Sequence, residues 1–187
     1  MKTSGTSLIS RRRFIAMGLL SFLGFGTSKA NAWNIPIKNF GQVVPGQIYR
    51  SAAPDFVSLQ TACQEIKFKA ILDLRDGWAL SEWRGWAYVL KSRLGITAYN
   101  IAFDDKSYPR QIDVDVAIQI MSNEENWPIL VHCQGGRHRT GGIIAYWRKL
   151  KQGWTPEAAY KEAKLFDYYS WNGHKPWGDF IKAEVRK

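Results

Sequence analysis

The residues best suited to chemistry are a cysteine, an arginine six positions later and two glycines between them. They lie in His132-Cys133-Gln134-Gly135-Gly136-Arg137-His138-Arg139-Thr140-Gly141. A phosphoryl dianion needs several donors converging on its oxygens. Five residues between Cys133 and Arg139 let the backbone wrap once, turning the amides of Gln134, Gly135, Gly136, Arg137, His138 and Arg139 inward as an anion nest. Gly135 and Gly136 supply unusual backbone angles. A helix starting near Arg139 adds its positive end. The Arg139 guanidinium can fork onto two phosphate oxygens, which a lysine does less well. The same positive field favours the thiolate of Cys133, the nucleophilic form. Thr140 is placed to donate its hydroxyl to the sulfur when the sulfur leaves in a second step. His132 is expected to orient the loop through a backbone contact. A merely buried cysteine beside a solvated arginine would leave the glycine pair, Thr140 and Gly141 without a reason.

Those residues need a strand before them and a helix after them, and the chain offers both. Ile129-Leu130-Val131 reads as a buried strand, and residues 140–151 as a helix stopped at Gly153. Upstream, Pro45-Gly46 makes a turn before a short strand through Arg50, and Asp55 caps a helix reaching about Ile66. Ala70-Ile71-Leu72-Asp73-Leu74 is a nearly continuous apolar run, as a buried strand requires. Trp83, Trp86, Ala87 and Leu90 keep a helical period up to Gly95, and 96–101 is another strand. A polar loop, 103–110, precedes a helix over 112–121. Thr155-Pro156-Glu157 starts another helix, and a last one is predicted over 178–185. Strands alternating with helices predict an α/β fold, a central mostly parallel sheet flanked by helices. The loop at Cys133 falls at the carboxyl end of a strand, where such folds bind ligands.

The pattern His-Cys-x5-Arg-Ser/Thr-Gly is the signature of the protein tyrosine phosphatase superfamily, and a chance match is on the order of one in ten thousand. The chain resembles its atypical dual-specificity phosphatases of the plant-and-fungal type and their bacterial relatives. Gly136-Arg137-His138-Arg139-Thr140-Gly141 fits the loop of that group, and three further stretches are similar: Tyr49-Arg50-Ser51-Ala52-Ala53-Pro54, Asp73-Leu74-Arg75 and Asn126-Trp127-Pro128-Ile129-Leu130-Val131. The resemblance runs from about Phe40 to Ile181. It implies a dual-specificity-type fold and cysteinyl-phosphate chemistry with no metal and no cofactor. It also implies a general acid on an upstream loop, where Asp104 and Asp105 stand. Bacterial relatives often read Asn-Ile-Pro-x-Ser-Asp-Arg there, which aligns Asp105 with the family's acid and leaves Asp104 as the alternative. Ala102 replaces that Pro and Asp104 that Ser. Asp113 and Asp115 read as surface residues of a helix. Substrates in the family include phosphotyrosine proteins and, in the plant and fungal branch, inositol pyrophosphates. Arg137 and His138 would add positive charge at the rim, suiting a crowded polyphosphate, or serve only to shape the loop. His174, in Asn172-Gly173-His174, recurs as Gly-His in bacterial relatives and reads as structural.

The first 32 residues read as an address. Ser10-Arg11-Arg12-Arg13-Phe14-Ile15 resembles the twin-arginine export consensus, a short apolar stretch follows, and Ala30-Asn31-Ala32 is a cleavage signal. The expected organisation is a signal over 1–32 and one catalytic domain over 33–187, in a periplasm or secreted, with no stable membrane anchor after processing. The two cysteines, Cys63 and Cys133, leave open whether a disulfide forms in that oxidising compartment.

Lysine and arginine total 26 against 16 acids, but five of the bases lie in the first 32 residues, so the body carries 21 − 16 = +5. A moderately basic body favours anionic substrates. It has no basic stripe with interleaved aromatics, so no nucleic-acid partner is expected. The expected partner is a phosphorylated protein or an inositol polyphosphate. A phosphate-binding pseudophosphatase and a sulfur-transfer or arsenate-reducing enzyme are the rival classes.

Overall fold

A computed structural model describes residues 35–78 and 80–185. The export signal expected over 1–32 lies outside the described residues. Among the described residues five strands form one sheet: β1 (Gly41–Val44), β2 (Ile48–Ala52), β3 (Ala70–Arg75), β4 (Thr97–Phe103) and β5 (Ile129–Cys133). Their order is β1-β2-β5-β3-β4. Only the β1–β2 hairpin is antiparallel; β5 runs parallel to both β2 and β3, and β3 to β4. The mostly parallel sheet expected from the alternating pattern is present.

The helices are α1 (Phe56–Glu65), α2 (Leu80–Val89), α3 (Gln111–Ser122), α4 (His138–Gln152), α5 (Pro156–Leu165) and α6 (Lys175–Lys182). Local chemistry explains most ends. Asp55 accepts from the Ser58 amide at 2.8 Å, and Thr155 accepts from that of Ala158 at 3.2 Å, both as N-caps. Gly153 takes a left-handed conformation (φ 67°) that closes α4. After α2 the chain makes a π-turn over Leu90–Leu94, and Gly95 ends it at φ 71°.

The last helix differs from expectation: it starts three residues earlier, at Lys175, and ends at Lys182. Pro176 in its first turn suits the start, since the missing N–H would have no helical partner there. Its end is held by Lys149, buried on α4, whose Nζ donates to the carbonyls of Phe180, Ile181 and Ala183 at 3.3, 2.8 and 2.6 Å. Burial lowers the Lys149 pKa to about 8, so the group stays largely cationic at neutral pH.

Side-chain parity in β5 decides what each face holds. Ile129, Val131 and Cys133 face a core shared with α3, α4, α5 and α6. Leu130 faces the opposite core, with Leu59 and Ala62 of α1 and with Leu90. Cys133 therefore points toward α4, while His132 turns to the other face. The carboxyl ends of β2, β3, β4 and β5 meet at one edge of the sheet, and the phosphate-loop sequence leaves from the middle of it.

Candidate active site

The chain leaves β5 at Cys133 and enters α4 at His138. Between them every carbonyl is tied to something outside the loop. The Ala53 amide donates to the Gln134 carbonyl at 3.2 Å. Asn39 Nδ2 donates to that of Gly135 at 2.8 Å. Arg50 Nη2 donates to that of Gly136 at 2.6 Å. The Gly141 amide takes that of Arg137 at 2.9 Å as the helix begins. In a trans peptide the N–H points opposite to the C=O. Holding four successive carbonyls outward thus turns the amides of Gly135, Gly136, Arg137 and His138 inward. Such a run of inward amides has the geometry of an anion nest, and Cys133 at its start is buried, 3% exposed.

Of the two glycines only Gly136 needs its freedom. Its φ is +65°, and a Cβ there would lie 2.5 Å from the Ser51 carbonyl carbon. Gly135 is not in the left-handed region, and a Cβ on it would meet only the Arg137 side chain, at 3.5 Å. The paired role expected for them belongs to one residue.

Arg139 is buried, and one edge of its guanidinium is anchored. Nη1 donates to Asp76 Oδ1 at 2.6 Å and to the Phe103 carbonyl at 3.0 Å. Nε is buried with no hydrogen-bond partner among the described residues. A guanidinium fixed along one edge, with an unpaired donor left over, is suited to forking onto an oxyanion. Thr140 is fully buried and its Oγ1 has no partner among the described residues, so the expected hydroxyl–sulfur bond is not formed in this arrangement.

His132 is buried on the far side of β5, with Nδ1 3.7 Å from Asp73 Oδ1. Nδ1 is buried and has no hydrogen-bond partner among the described residues. Burial lowers the His132 pKa to about 4, against the pull of Asp73, so it is neutral near pH 7. Burial acts to raise the Asp73 pKa, but the His132 ring and the Arg75 guanidinium outweigh it and hold the carboxyl below its usual value. Asp73 takes hydrogen bonds from Arg75 Nη2 at 2.8 Å and from Trp78 Nε1 at 3.1 Å.

Arg137 is half-buried, with its guanidinium 5.8 Å from the Tyr169 ring centre. His138 does not bring the charge expected at the rim. Burial, with His174, Arg137 and Arg139 nearby, lowers its pKa to about 3, and only 8% of it is exposed. It contributes an amide to the nest and a ring to packing. Gln134 is exposed, and its Oε1 lies 3.4 Å from Arg75 Nη1.

The two candidate acids stand just past β4 and differ sharply. Asp104 is consumed by its own turn: Oδ1 accepts from the Lys106 amide at 2.7 Å and Oδ2 from Ser107 Oγ at 2.9 Å. Those bonds, the Lys106 amide foremost, hold its carboxyl below the usual range, the wrong direction for a proton donor. The Asp105 carboxylate has no hydrogen-bond or ion-pair partner among the described residues, and its carbonyl accepts from His174 Nδ1 at 2.9 Å.

Reading the residues did not foresee Asn39, Arg50, Asp73 or Asp76. A usable signal exists for two of them. Arg50 and Asp73 are buried charges among the apolar residues of β2 and β3, a placement that asks for a specific partner. Cys63 and Cys133 are both free thiols. Among the described residues no cluster could hold a metal ion, and no helix is long and apolar enough to cross a membrane.

Fold and site together define a class: an α/β protein whose loop after β5 runs from a buried cysteine, past inward-facing amides, to a buried arginine. The chain belongs to the tyrosine phosphatase family, whose pattern matches residues 34–181. It is 32% identical over 138 residues to the inositol diphosphatase SIW14 of Saccharomyces cerevisiae, a match covering 72% of this chain and 47% of that protein. The chain thus spans about half the length of that relative. The crystal structure of the yeast protein's core catalytic domain, bound to citrate, superposes with a TM-score of 0.66 at 30% identity, over 81% of this chain and 88% of that one. The inositol diphosphatase DSP4 of Arabidopsis thaliana is 32% identical over 136 residues, 71% of this chain and 65% of its own. TpbA of P. aeruginosa shares the fold, with a TM-score of 0.63 at 20% identity over 78% of this chain and 84% of its own.

Proposed function

We propose that this protein is a phosphatase hydrolysing phosphate monoesters or anhydrides through a cysteinyl-phosphate, with phosphotyrosine or dual-specificity protein substrates as the leading reading. The observation that carries it is the loop itself. Four carbonyls are tied outward around a cysteine, and a guanidinium is anchored beside it. The Cys133 thiolate attacks phosphorus, forming the S–P bond as the P–O bond to the leaving group breaks. Inward amides and Arg139 hold the other oxygens as their charge shifts. The leaving oxygen takes its proton from Asp105. Water then attacks the phosphocysteine and gives a proton to the Asp105 carboxylate. The S–P bond breaks and its electron pair returns to sulfur, releasing phosphate.

Inositol polyphosphates or pyrophosphates are the second reading. It is supported by the names of the yeast and Arabidopsis relatives and by Arg75, Lys106 and Arg137 beside the loop and the acid. The export reading is also a proposal. Its support is the twin-arginine-like sequence and the cleavage box of residues 1–32, and signal processing after Ala32 in a bacterial host tests it.

Cys133→Ser should abolish hydrolysis of p-nitrophenyl phosphate under reducing conditions while retaining phosphate binding. Undiminished turnover by that variant rejects the mechanism. Tight phosphate binding by the unaltered protein with no turnover would make it a pseudophosphatase. A panel of phosphotyrosine and phosphoserine peptides, phosphoinositides and inositol polyphosphates separates the two substrate readings.

A further inference from the structure

The segment that carries Asp105 is held by its backbone at three consecutive carbonyls. Arg139 Nη1 holds that of Phe103 at 3.0 Å, Trp177 Nε1 that of Asp104 at 3.0 Å, and His174 Nδ1 that of Asp105 at 2.9 Å. Two of the three donors come from the start of α6. A ring nitrogen facing a carbonyl must carry its proton, so His174 is protonated at Nδ1 there. The His174 ring lies flat on that of His138, with centres 3.6 Å apart and planes within 8°. His138 opens α4 and directly precedes Arg139, and the Tyr169 ring packs edge-on against it at 4.4 Å. His174 is 5% exposed. The contacts thus run without a break from the phosphate loop, through two stacked imidazoles, to the peptide of the acid.

We propose that His174 is a positioning residue for Asp105. By donating Nδ1–H to the Asp105 carbonyl while stacked on His138, it fixes the acid loop relative to the phosphate loop before substrate arrives. The inference rests on Asp105 being the general acid. It makes His174 part of the leaving-group step and leaves anion binding to the loop. A carboxyl displaced by an ångström from its proton-transfer position loses on the order of 100-fold in rate.

The test compares phenyl phosphate, a poor leaving group, with 2,4-dinitrophenyl phosphate, which departs without an acid. Asp105→Asn comes first, read as kcat/KM, which ends at phosphocysteine formation and so leaves out the later step in which Asp105 takes a proton: a loss confined to phenyl phosphate establishes the acid. Equal losses on both substrates remove that reading and this inference with it. Given the acid, His174→Ala should lower kcat/KM for phenyl phosphate by about 10- to 100-fold. Its kcat/KM for the dinitrophenyl ester and the Kd for inorganic phosphate should be unchanged. His174→Phe keeps the stack and deletes the donor, and should lose as much even if the alanine variant is unstable. His174→Asn restores an N–H near the lost Nδ1 and should recover much of the rate. Adding His174→Phe to Asp105→Asn should cost nothing further. Equal losses on both esters in the His174 variants, a weaker phosphate Kd, or losses that add to those of Asp105→Asn would overturn the proposal.

Discussion

Arg50 is fully buried on β2, and its guanidinium centre lies 3.9 Å from the centre of the Phe166 ring. Burial lowers its pKa to about 10, which still leaves it cationic at neutral pH, and nearby Glu162 opposes the shift. It shapes the loop through the Gly136 carbonyl at 2.6 Å, not by entering the anion site. Arg50→Met should leave that carbonyl unsatisfied at a cost of about 1–3 kcal/mol. The peptide whose N–H belongs to Arg137 is then free to turn, so phosphate affinity should fall as well. Urea unfolding and a phosphate titration of the Cys133→Ser background read the two effects. The glycines give a paired prediction. Gly136→Ala meets both a left-handed φ and the Ser51 backbone, so it should lose well over the roughly 1 kcal/mol of a simple left-handed strain. Gly135→Ala should stay within about 0.5 kcal/mol of the parent. Thermal melts of the two variants separate these outcomes, and equal melts would contradict the assignment to Gly136.

At the scale of elements, α4 is the hub. Its first turn closes the nest, Lys149 in its later part holds the end of α6, and Gly142 lets Trp177 of α6 lie flush on its backbone. A Cβ at Gly142 would collide with the Trp177 ring. Gly142→Ala should therefore cost about 1–3 kcal/mol through overpacking. The displaced ring also carries the donor to the Asp104 carbonyl. The variant should thus slow poor leaving groups more than good ones, which stability and a two-substrate assay together detect. A stability loss with no change in leaving-group preference would show that Trp177 acts in packing alone.

At the scale of the molecule, buried neutral histidines couple stability to pH. The ordinary histidine value is 6.5, and His132 is lowered to about 4 in the fold. As pH falls through 6.5 the unfolded chain takes up a proton that the native state refuses. Stability is therefore complete above that pH and is lost progressively down to about 4. The slope from His132 alone is about 1.4 kcal/mol per pH unit, or about 2 kcal/mol lost between pH 6.5 and 5. His138, lowered to about 3, acts in the same direction. Urea unfolding at pH 7.5 and 5 checks this, and His132→Asn should reduce the dependence to the part that His138 contributes. Equal stability at the two pH values would mean that native His132 and His138 both carry a proton.

Much of this was legible in the chain itself. The loop's residue types, their spacing and the strand and helix around them follow from local chemistry: a nest needs a fixed number of peptides, and a buried strand needs an apolar run. Helix ends with a local partner, as at Asp55 and Thr155, were readable for the same reason. What the tertiary structure decided depends on residues far apart in sequence. Asn39, Arg50 and Ala53 turn the loop's carbonyls outward from strands and turns 80 or more residues upstream. The neutrality of His138, the use of Asp104 in its own turn and the freedom of the Asp105 carboxylate likewise follow from packing. Sequence spacing specifies how many donors a loop can offer. Only the surrounding fold, by what it bonds and what it excludes from water, decides which way they face and which carboxyl is left to work.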